Sequence, residues 1–267
     1  MKLSKYHGCG NDFVIGTWQE GIDYSNLAIK VCDRHTGIGA DGLILAKTSS
    51  PIEMVFYNAD GSRGLMCGNG IRCLTKYIID NNLVAFKDGK LLISTLSGLR
   101  TVYLEDNLFK VNMGKPNFLA SAVGINKEGE FSNVIIEHNN KKFNCSSCFM
   151  TVDHLVVIVN DFDITDEEGA FLCNNPIFTR KINVNFAKII DRNNVFVKTF
   201  ERGVGWTLAC GSGSSAVFAK LYKDGLVDNN LNIMLQKGNI KISADEDGNV
   251  FMKGPAEAIS KEIEYDF

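Results

Sequence analysis

The strongest constraint on this chain is a pattern that occurs twice. In each half, a strand-like run ends at a polar residue, a glycine-containing turn follows, and a Cys-Gly-polar-Gly segment then leads into a helical pattern. The first copy runs from Asn58 to Cys67–Gly70, and the second runs from Glu201 to Cys210–Gly213. The two cysteines are 143 positions apart. The pattern predicts a duplicated fold with one half-site in each copy.

Short runs rich in β-branched and aromatic residues dominate the sequence, and helical patterns are few. Strands are expected over Leu43–Ala46, Met54–Asn58, Lys90–Ser94, Arg100–Leu104, Phe109–Met113, Leu155–Val159, Asn183–Ile189, Val195–Glu201 and Asn239–Ser243. Helices are expected over Ser25–Arg34, Gly70–Asp80, Thr165–Asn174 and Gly213–Lys223. Thr165 and Glu168 have the spacing of a capping box. Many strands with one central helix in each half predict an α+β fold rather than a series of βαβ units.

The length fits either one large domain or two ordinary ones. At about 150 residues per domain, a chain of 267 residues is consistent with both arrangements. No low-complexity linker divides the sequence. With only four prolines in the chain, the segment around Lys115–Asn117 is the best candidate for a domain junction.

Composition excludes several classes of partner. The chain has 28 basic and 31 acidic residues and a net charge of −3, so it lacks the positive field that attracts nucleic acid or anionic lipid. Its apolar runs are shorter than the roughly 18 residues needed to span a bilayer. The first residues also lack the apolar stretch of a signal peptide. We therefore expect a folded cytosolic protein with no nucleic-acid or membrane partner.

The cysteines do not form a disulfide scaffold. Eight cysteines in 267 residues are too few for one, and a cytosolic chain keeps them reduced. Cys145 and Cys148 form an isolated CxxC, which we interpret as two small strand residues rather than a redox or zinc motif. His7 and His35 lie in glycine-rich loops, and no spacing of His and acidic residues matches a metal site. No metal is expected.

Each Cys-Gly-polar-Gly turn has the chemistry to bind an anion beside a reactive thiol. Glycines let the backbone bend tightly, and a helix N-terminus exposes consecutive N–H groups to a carboxylate. Helix N-termini also lower the pKa of thiols, and the thiolate is the reactive form. Two such turns acting on one amino acid would place a thiol on either side of its α-carbon. One thiolate would remove the α-proton, the other thiol would protonate the opposite face, and Glu201 could receive the ammonium.

Separated motifs in a fixed order make the chain resemble a known family. They are His7–Phe13, Asp33–Gly42, Asn58–Ser62 with Cys67–Cys73, Glu201–Gly203 with Ala209–Gly213, and the closing Gly254–Ala256. Together they resemble the diaminopimelate epimerases. The resemblance implies a homodimeric epimerase that needs neither pyridoxal phosphate nor another cofactor. It also implies two pseudo-symmetric α/β domains, each a strand barrel around a central helix, with the last strand returning to the first domain.

The resemblance assigns domain bounds and residue roles. Residues 1–115 plus 257–267 are expected to form the N-terminal domain with the first catalytic cysteine, and 116–256 the C-terminal domain with the second. Cys67 and Cys210 match the two catalytic bases. The α-carboxylate cradle matches Gly68, Asn69, Gly211 and Ser212, and the residues that hold the reacting end match Asn11 and Glu201. Those around the distal end of the substrate match Asn58, Asn183 and Arg202, of which the guanidinium suits a carboxylate.

The chain departs from the family pattern at the distal pocket. The family's Met-Gly-Asn-Pro-His segment is Met150–His154 here, so Val152 and Asp153 replace Asn and Pro. These residues suit a second carboxylate less well than an amide does, because a desolvated acceptor without a donor costs about 1–3 kcal/mol. The substrate is therefore either diaminopimelate or another amino acid such as histidine, whose imidazole could donate to Asp153 or Asn183. Lanthionine is a further alternative.

Other assignments around this pocket stay open. His154 either contacts the substrate or braces the loop. The product would serve lysine biosynthesis or another pool of D-amino acids. The small-molecule substrate is the one partner expected besides a second copy of the chain.

Parts of the sequence also suggest three other classes of protein. Gly37–Gly42 fits the GxGxxG fingerprint of dinucleotide binding, but that fingerprint needs a strand before it and a helix after it. Here a helical pattern precedes the glycines and Leu43–Ala46 follows as a strand, so no NAD site is expected. Isomerases of unsaturated ring compounds share the implied fold but lack the cysteine pair. A thiol redox sensor that closes a disulfide stays open as a non-enzymatic alternative.

Overall fold

The computed structural model describes residues 1–266 and divides into two compact units. Unit 1 contains Met1–Asn112 and the chain from Lys253 onward, and unit 2 contains Met113–Met252. Within the described residues, none of the helices combines the length and the apolar character of a membrane-spanning segment.

Unit 1 contains two helices and a set of mostly antiparallel strands. The helices are α1 (Tyr24–Cys32) and α2 (Gly68–Asp80). The strands are β1 (Lys2–Gly8), β2 (Asn11–Thr17), β3 (Gly42–Lys47), β4 (Ile52–Asn58), β5 (Arg63–Gly64), β6 (Lys90–Thr95), β7 (Gly98–Glu105) and β8 (Leu108–Gly114), of which β8 contains the unit boundary. A final strand, numbered β18 in chain order (Glu257–Glu264), pairs antiparallel with β1. The last strand of the chain therefore belongs to unit 1.

Unit 2 repeats this composition. Its helices are α3 (Asp166–Cys173) and α4 (Gly211–Lys223), and a short 3₁₀ helix spans Ala120–Val123. Its strands are β9 (Val134–His138), β10 (Lys141–Met150), β11 (Val152–Ile158), β12 (Asn183–Asp191), β13 (Asn194–Glu201), β14 (Gly205–Thr207), β15 (Leu231–Leu235), β16 (Gly238–Ala244) and β17 (Val250–Gly254), of which β17 contains the second boundary.

The internal duplication predicted from the sequence is confirmed by the order of the elements. The run from β1 to β8, with α1 after its second strand and α2 after its fifth, is matched by the run from β10 to β17, with α3 and α4 in the same places. The pairings match as well. The second and third strands of each copy are parallel (β2 with β3, β11 with β12), and so are the fourth and sixth (β4 with β6, β13 with β15). The chain thus has a mixed α/β fold made of two pseudo-symmetric copies.

Each copy surrounds one helix with strands. Helix α2 packs against β1, β2 and β3, and α4 packs against β10, β11, β12 and β16. Most positions in the first ten residues of both helices are buried, on every face. A helix that is buried all round belongs to the interior of a fold. The position of α2 and α4 explains why small residues fill their first turns, where strands approach closely.

The helix bounds differ from the predicted ones at informative places. Helices α2 and α4 begin two residues earlier than expected, because Cys67 and Cys210 act as N-caps and the following glycines are helical. Helix α1 ends at Cys32 rather than Arg34, because the Asp33 carboxylate accepts the backbone N–H groups of His35 and Thr36 and turns the chain. The predicted capping box of α3 is present, with Thr165 and Glu168 in reciprocal hydrogen bonds.

A buried carboxylate ties β2 to the loop before β3. Asp12 is 7% exposed and receives two hydrogen bonds from the guanidinium of Arg34, at 2.8 and 3.2 Å, and an ion pair from Lys5 at 3.0 Å. Burial by itself raises the pKa of Asp12, but the hydrogen bonds from Arg34 and Lys5 outweigh it and the pKa is lowered. The ionised carboxylate therefore stabilises unit 1 at neutral pH.

The Asp12→Asn variant should test this contribution. Replacement leaves Arg34 and Lys5 with a neutral partner, so the free energy of unfolding should fall by about 1–3 kcal/mol at pH 7. A lowered folded-state pKa gives stability that is complete above the unfolded pKa of about 4 and is lost as the pH falls through the folded value. Urea unfolding of wild type and variant should thus show a constant difference from pH 7 to pH 5 and a smaller one at pH 3. If the difference in the free energy of unfolding is as large at pH 3 as at pH 7, the lowered pKa of Asp12 is contradicted.

Candidate active site

The two predicted cysteines occupy the same structural position in the two copies. Cys67 is the N-cap of α2, with φ −127° and ψ 122°, and its Sγ accepts the N–H of Gly70 at 3.4 Å. Cys210 is the N-cap of α4, with φ −125° and ψ 107°, and its Sγ accepts the N–H of Gly213 at 3.4 Å. Each sulfur therefore lies at the positive end of a helix dipole. The predicted cradle residues form the first two positions of each helix, namely Gly68 and Asn69 in α2, and Gly211 and Ser212 in α4.

The glycine at the third helical position is required by close packing. A Cβ on Gly213 would lie 2.0 Å from Asn185 Oδ1 and 3.2 Å from the sulfur of Cys210. A Cβ on Gly70 would lie 2.8 Å from the terminal methyl group of Ile44. In unit 2 the obstacle is a buried amide that is fixed by hydrogen bonds, whereas in unit 1 it is the flexible end of an apolar side chain. Both glycines let the turn pack directly beneath the cysteine.

In unit 1, a hydrogen-bonded amide connects Cys67 to its neighbours. Asn11 donates its Nδ2 to the carboxylate of Asp41, which fixes the orientation of the amide. Its Oδ1 then accepts the Cys67 thiol at 3.8 Å and Asn69 Nδ2 at 3.2 Å. The structure thus brings Asn11 close to Cys67 and Asn69, with Gly68 between them in the chain. Asn58 ends β4 and donates to Ser62 Oγ at 2.9 Å, so it closes the turn after that strand.

In unit 2, Ser212 lies in the first turn of α4, and Glu201 is the last residue of β13. Ser212 Oγ is 3.6 Å from Cys210 Sγ, the spacing of a weak hydrogen bond to sulfur. Glu201 ends β13 and accepts a hydrogen bond from Thr207 Oγ1 at 2.7 Å. Cys210 itself is 7% exposed, while Cys67 is half-buried.

His154 is wholly buried, and its surroundings favour the bracing alternative. Burial, with a smaller contribution from the charge of Arg202, lowers the pKa of His154 to about 3, so the imidazole is neutral at pH 7. Its Nδ1 is 3.2 Å from Asn185 Nδ2 and can accept that hydrogen bond. Asn185 also donates to the carbonyl of Leu155 at 3.0 Å, and its Oδ1 accepts Thr199 Oγ1 at 3.1 Å. The network fixes the amide that lies against Gly213.

The predicted distal residues other than Asn58, which is in unit 1, lie in unit 2. The parallel register pairs His154 of β11 with Asn183 of β12, and Asn183 Oδ1 accepts the backbone N–H of Arg202 at 3.0 Å. Asp153 is 4% exposed, and its carboxylate is bound by Arg202 at 3.3 Å and by Arg180 at 2.9 Å. Val152 is half-buried and follows Thr151, which has a left-handed φ of 65°. Asp153 is therefore already occupied by two guanidinium groups and is not the open acceptor that a histidine substrate would need.

Three residues of these clusters were missed in the sequence. Asp41 lies in the glycine motif that resembles a dinucleotide fingerprint, and its role in orienting Asn11 has no local signature. Asn185 is two positions after Asn183 in β12, so the strand period places both side chains on one face. The two-residue spacing from Asn183 therefore identifies Asn185 as a candidate from the sequence alone. Arg180 precedes the strand and gave no signal, because its partner Asp153 is 27 positions away.

The remaining cysteines and histidines do not form further centres. Burial raises the pKa of the six other thiols, which are Cys9, Cys32, Cys73, Cys145, Cys148 and Cys173. Cys145 and Cys148 both lie in β10 and are buried, three positions apart and hence on opposite faces of the strand. No group of three or more metal-ligating side chains occurs among residues 1–266. The glycines of Gly37–Gly42 follow α1 and precede the rest of β3, the reverse of the dinucleotide arrangement.

Solved structures with the same fold include epimerases and racemases. A phenazine biosynthesis protein of the PhzF family from Bacillus anthracis matches with a TM-score of 0.73 and 15% identity, over 100% of this chain and 99% of that one. A hydroxyproline epimerase from Agrobacterium vitis, solved with bound trans-4-hydroxy-L-proline, matches with a TM-score of 0.69 and 14% identity, over 98% and 90% of the two chains. At this identity the similarity concerns the fold.

Sequence comparison defines the class and then the family. The diaminopimelate epimerase of Caldanaerobacter subterraneus subsp. tengcongensis is 37% identical over 99% of this chain and 100% of its own length. That of Halothermothrix orenii is 38% identical over 97% of this chain and 96% of its own. The protein is therefore an isomerase of the epimerase class. It belongs to the diaminopimelate epimerase family, whose profile matches residues 3–119 and 147–259.

Alanine at the two third-position glycines should have unequal effects. Gly213→Ala forces the Asn185 amide out of a hydrogen-bonded buried position, and we expect it to lower the free energy of unfolding by about 1–3 kcal/mol. Gly70→Ala is its matched control, because Ile44 can rotate away, and it should cost less. Urea unfolding of both variants measures the difference. Equal losses would contradict a special role for Asn185.

Proposed function

We propose that this protein epimerises diaminopimelate with Cys67 and Cys210 as its two acid-base groups. The observation that carries the proposal is the matched N-cap geometry of the two cysteines, each accepting the N–H of a glycine at 3.4 Å at the start of a 13-residue helix. A single such turn is compatible with many roles. Two copies of it in a duplicated fold suit a reaction that needs one group on each face of an α-carbon.

The reaction proceeds by one proton removal and one proton delivery. A cysteine thiolate takes the α-proton and becomes a thiol, and the electron pair of the broken C–H bond is delocalised into the α-carboxylate. The other cysteine thiol then gives its proton to the opposite face of the α-carbon and becomes a thiolate, so the centre is inverted with no net change in atoms or electrons. No cofactor is needed for this sequence of steps.

The residues around the cysteines would stabilise the carbanion as it forms. The N–H groups at the starts of α2 and α4 would bind an anion, and one well-placed donor of this kind contributes about 10²–10³ in rate. These positions are Gly68 and Asn69 in the first copy, and Gly211 and Ser212 in the second. Asn11 and Glu201 would hold the reacting end, with the Glu201 carboxylate facing the substrate ammonium.

A diacid substrate suits the distal cluster better than histidine does. Asp153, Arg180 and Arg202 together carry one negative and two positive formal charges, so the cluster has a net charge of +1. Such a cluster attracts a carboxylate, whereas an imidazole would compete with two arginines for Asp153. The curated relatives named above also carry the name diaminopimelate epimerase. Lanthionine has the same two amino-acid ends and is the main competitor.

Loss of the α-proton in deuterated buffer should identify the substrate. Proton NMR would follow LL-diaminopimelate, lanthionine and L-histidine in separate samples with reductant and no added pyridoxal phosphate. We expect exchange to be faster with diaminopimelate than with histidine, because its distal carboxylate matches the net positive charge of the cluster, and lanthionine is the competitor that shares this carboxylate. Faster exchange with histidine would show that the distal pocket has been rebuilt, and faster exchange with lanthionine would favour the sulfur-containing diacid.

Replacing either turn cysteine should abolish inversion. Cys67→Ala and Cys210→Ala each remove one of the two acid-base groups, so conversion of LL- to meso-diaminopimelate should fall by at least about 10³-fold. Cys32→Ala and Cys173→Ala are matched controls, since they remove buried thiols from the same two units. Chiral chromatography measures the products. Substantial inversion by either turn variant would refute the two-base scheme.

The expected homodimer, cytosolic location and role in lysine biosynthesis stay predictions. The domain boundaries expected at 115/116 and 256/257 also stay predictions. They can be compared with the compact units, which divide at 112/113 and 252/253.

A further inference from the structure

A buried carboxylate in unit 2 is shared by two arginines. Arg180 binds Asp153 through two hydrogen bonds, from Nε to Oδ2 at 3.2 Å and from Nη2 to Oδ1 at 2.9 Å. Arg202 donates Nη1 to the same carboxylate at 3.3 Å. Asp153 has 5% of its side chain exposed, against 54% for Arg180 and 37% for Arg202. The acid is thus internal, and the two guanidinium groups reach the surface.

The two arginines differ in how much of their donor capacity is used. The Nε and Nη2 of Arg180 both point at Asp153, and Nη2 also donates to the carbonyl of Ala122 at 2.8 Å. Arg202 uses Nη1 for Asp153 and for the carbonyl of Arg180 at 3.1 Å. Its Nε and Nη2 make no side-chain hydrogen bond to residues 1–266. This edge of the guanidinium has the geometry to bind a carboxylate through two parallel bonds.

The charges of Asp153, Arg180 and Arg202 define a role for Arg180. If Asp153 faced Arg202 alone, the pair would be neutral and would attract a substrate carboxylate weakly. Because Arg180 is the bidentate partner of Asp153, it compensates the charge of that acid. Arg202 then keeps its positive charge for another anion, while Asp153 and the carbonyl of Arg180 still hold its guanidinium in place.

We propose that Arg180 is a positioning residue for specificity, which neutralises Asp153 so that Arg202 can bind the distal carboxylate of the substrate. The inference rests on the proposed function, because it needs a substrate with a carboxylate at that end. It assigns a joint role to Asp153 and Arg180, neither of which acts on the α-carbon.

A purely structural role for Arg180 makes different predictions. Its bond to the Ala122 carbonyl, and the bond from Thr179 Oγ1 to the Gly124 carbonyl at 2.9 Å, connect the loop before β12 to the 3₁₀ helix and its C-cap. If this connection were its whole role, removal would lower the melting temperature and kcat. Removing Asp153 in addition would then give no recovery.

The test is a set of variants assayed for epimerisation of LL-diaminopimelate, with KM, kcat and melting temperature measured for each. Arg180→Met should raise KM by about 10-fold or more and leave kcat within about threefold, because a charged hydrogen-bonded contact to the substrate is weakened. The double variant Asp153→Asn with Arg180→Met should bring KM back toward the wild-type value. In the double variant the side chain at position 153 is uncharged, so it does not neutralise Arg202. The asparagine amide oxygen can still accept the hydrogen bond from Arg202 Nη1.

Arg192→Met is the matched control. Arg192 is also a half-exposed arginine of unit 2 that binds one aspartate, Asp228, at 2.7 Å and one carbonyl, that of Gly225, at 3.1 Å. Its removal should change KM less than about twofold. This control measures the effect of losing a surface Arg–Asp pair without a role in the distal cluster.

Three results would overturn the inference while leaving the proposed function intact. The first is a wild-type KM in Arg180→Met, and the second is a double variant that is no better than Arg180→Met. The third is a parallel fall in kcat and melting temperature without a rise in KM, which would assign Arg180 to connecting the loop to the 3₁₀ helix. A wild-type protein that does not epimerise diaminopimelate would instead overturn the proposed substrate, and the inference with it.

Discussion

The fold is organised around one unusual helix cap, a cysteine sulfur that accepts the N–H of the third helical residue. Ser, Thr, Asp and Asn usually fill this position, because their oxygen is a stronger acceptor. The use of sulfur twice, at Cys67 and Cys210, gives up part of that capping energy and leaves a thiol at the positive end of each helix. The glycine at the third position lets Asn185 in unit 2 and Ile44 in unit 1 pack against each first turn.

Because the fold is duplicated, the cysteine turns at the starts of α2 and α4 have the same backbone geometry. Different side chains pack around them in the two copies. In unit 1, Cys67 is approached by the amide of Asn11, which Asp41 orients. In unit 2, the amide of Asn185 lies beneath the turn and a neutral His154 fixes it. An amide thus lies near each cysteine, but it comes from a different strand in each copy. The two copies therefore share the cysteine turn and differ in the residues that pack around it.

Local signals in the sequence predicted the helices and the cysteine turns well, because caps and glycine turns depend on residues close in sequence. The capping box of α3 is an example, with Thr165 and Glu168 in the expected bonds. Several strands were not predicted from the residue pattern, among them β1, β2, β15 and β17. The hairpin of β1 and β2 turns through Cys9, a residue other than glycine with a left-handed φ of 56°. The cluster of Asp153 with Arg180 could not be predicted, since it depends on which residues the parallel register of β11 and β12 brings together.

The burial of the other thiols has a practical consequence for chemical labelling. Cys9, Cys32, Cys73, Cys145, Cys148 and Cys173 are each at most 3% exposed, and desolvation keeps them protonated at neutral pH. Protonated, enclosed thiols react slowly with electrophiles. A thiol-directed tag that attaches to the folded chain therefore reports first on Cys67, which is half-buried, and then on Cys210, which is 7% exposed. The number of tags per molecule, read by intact mass, would show how many of these two caps are accessible without any substrate and without engineering a cysteine-free background.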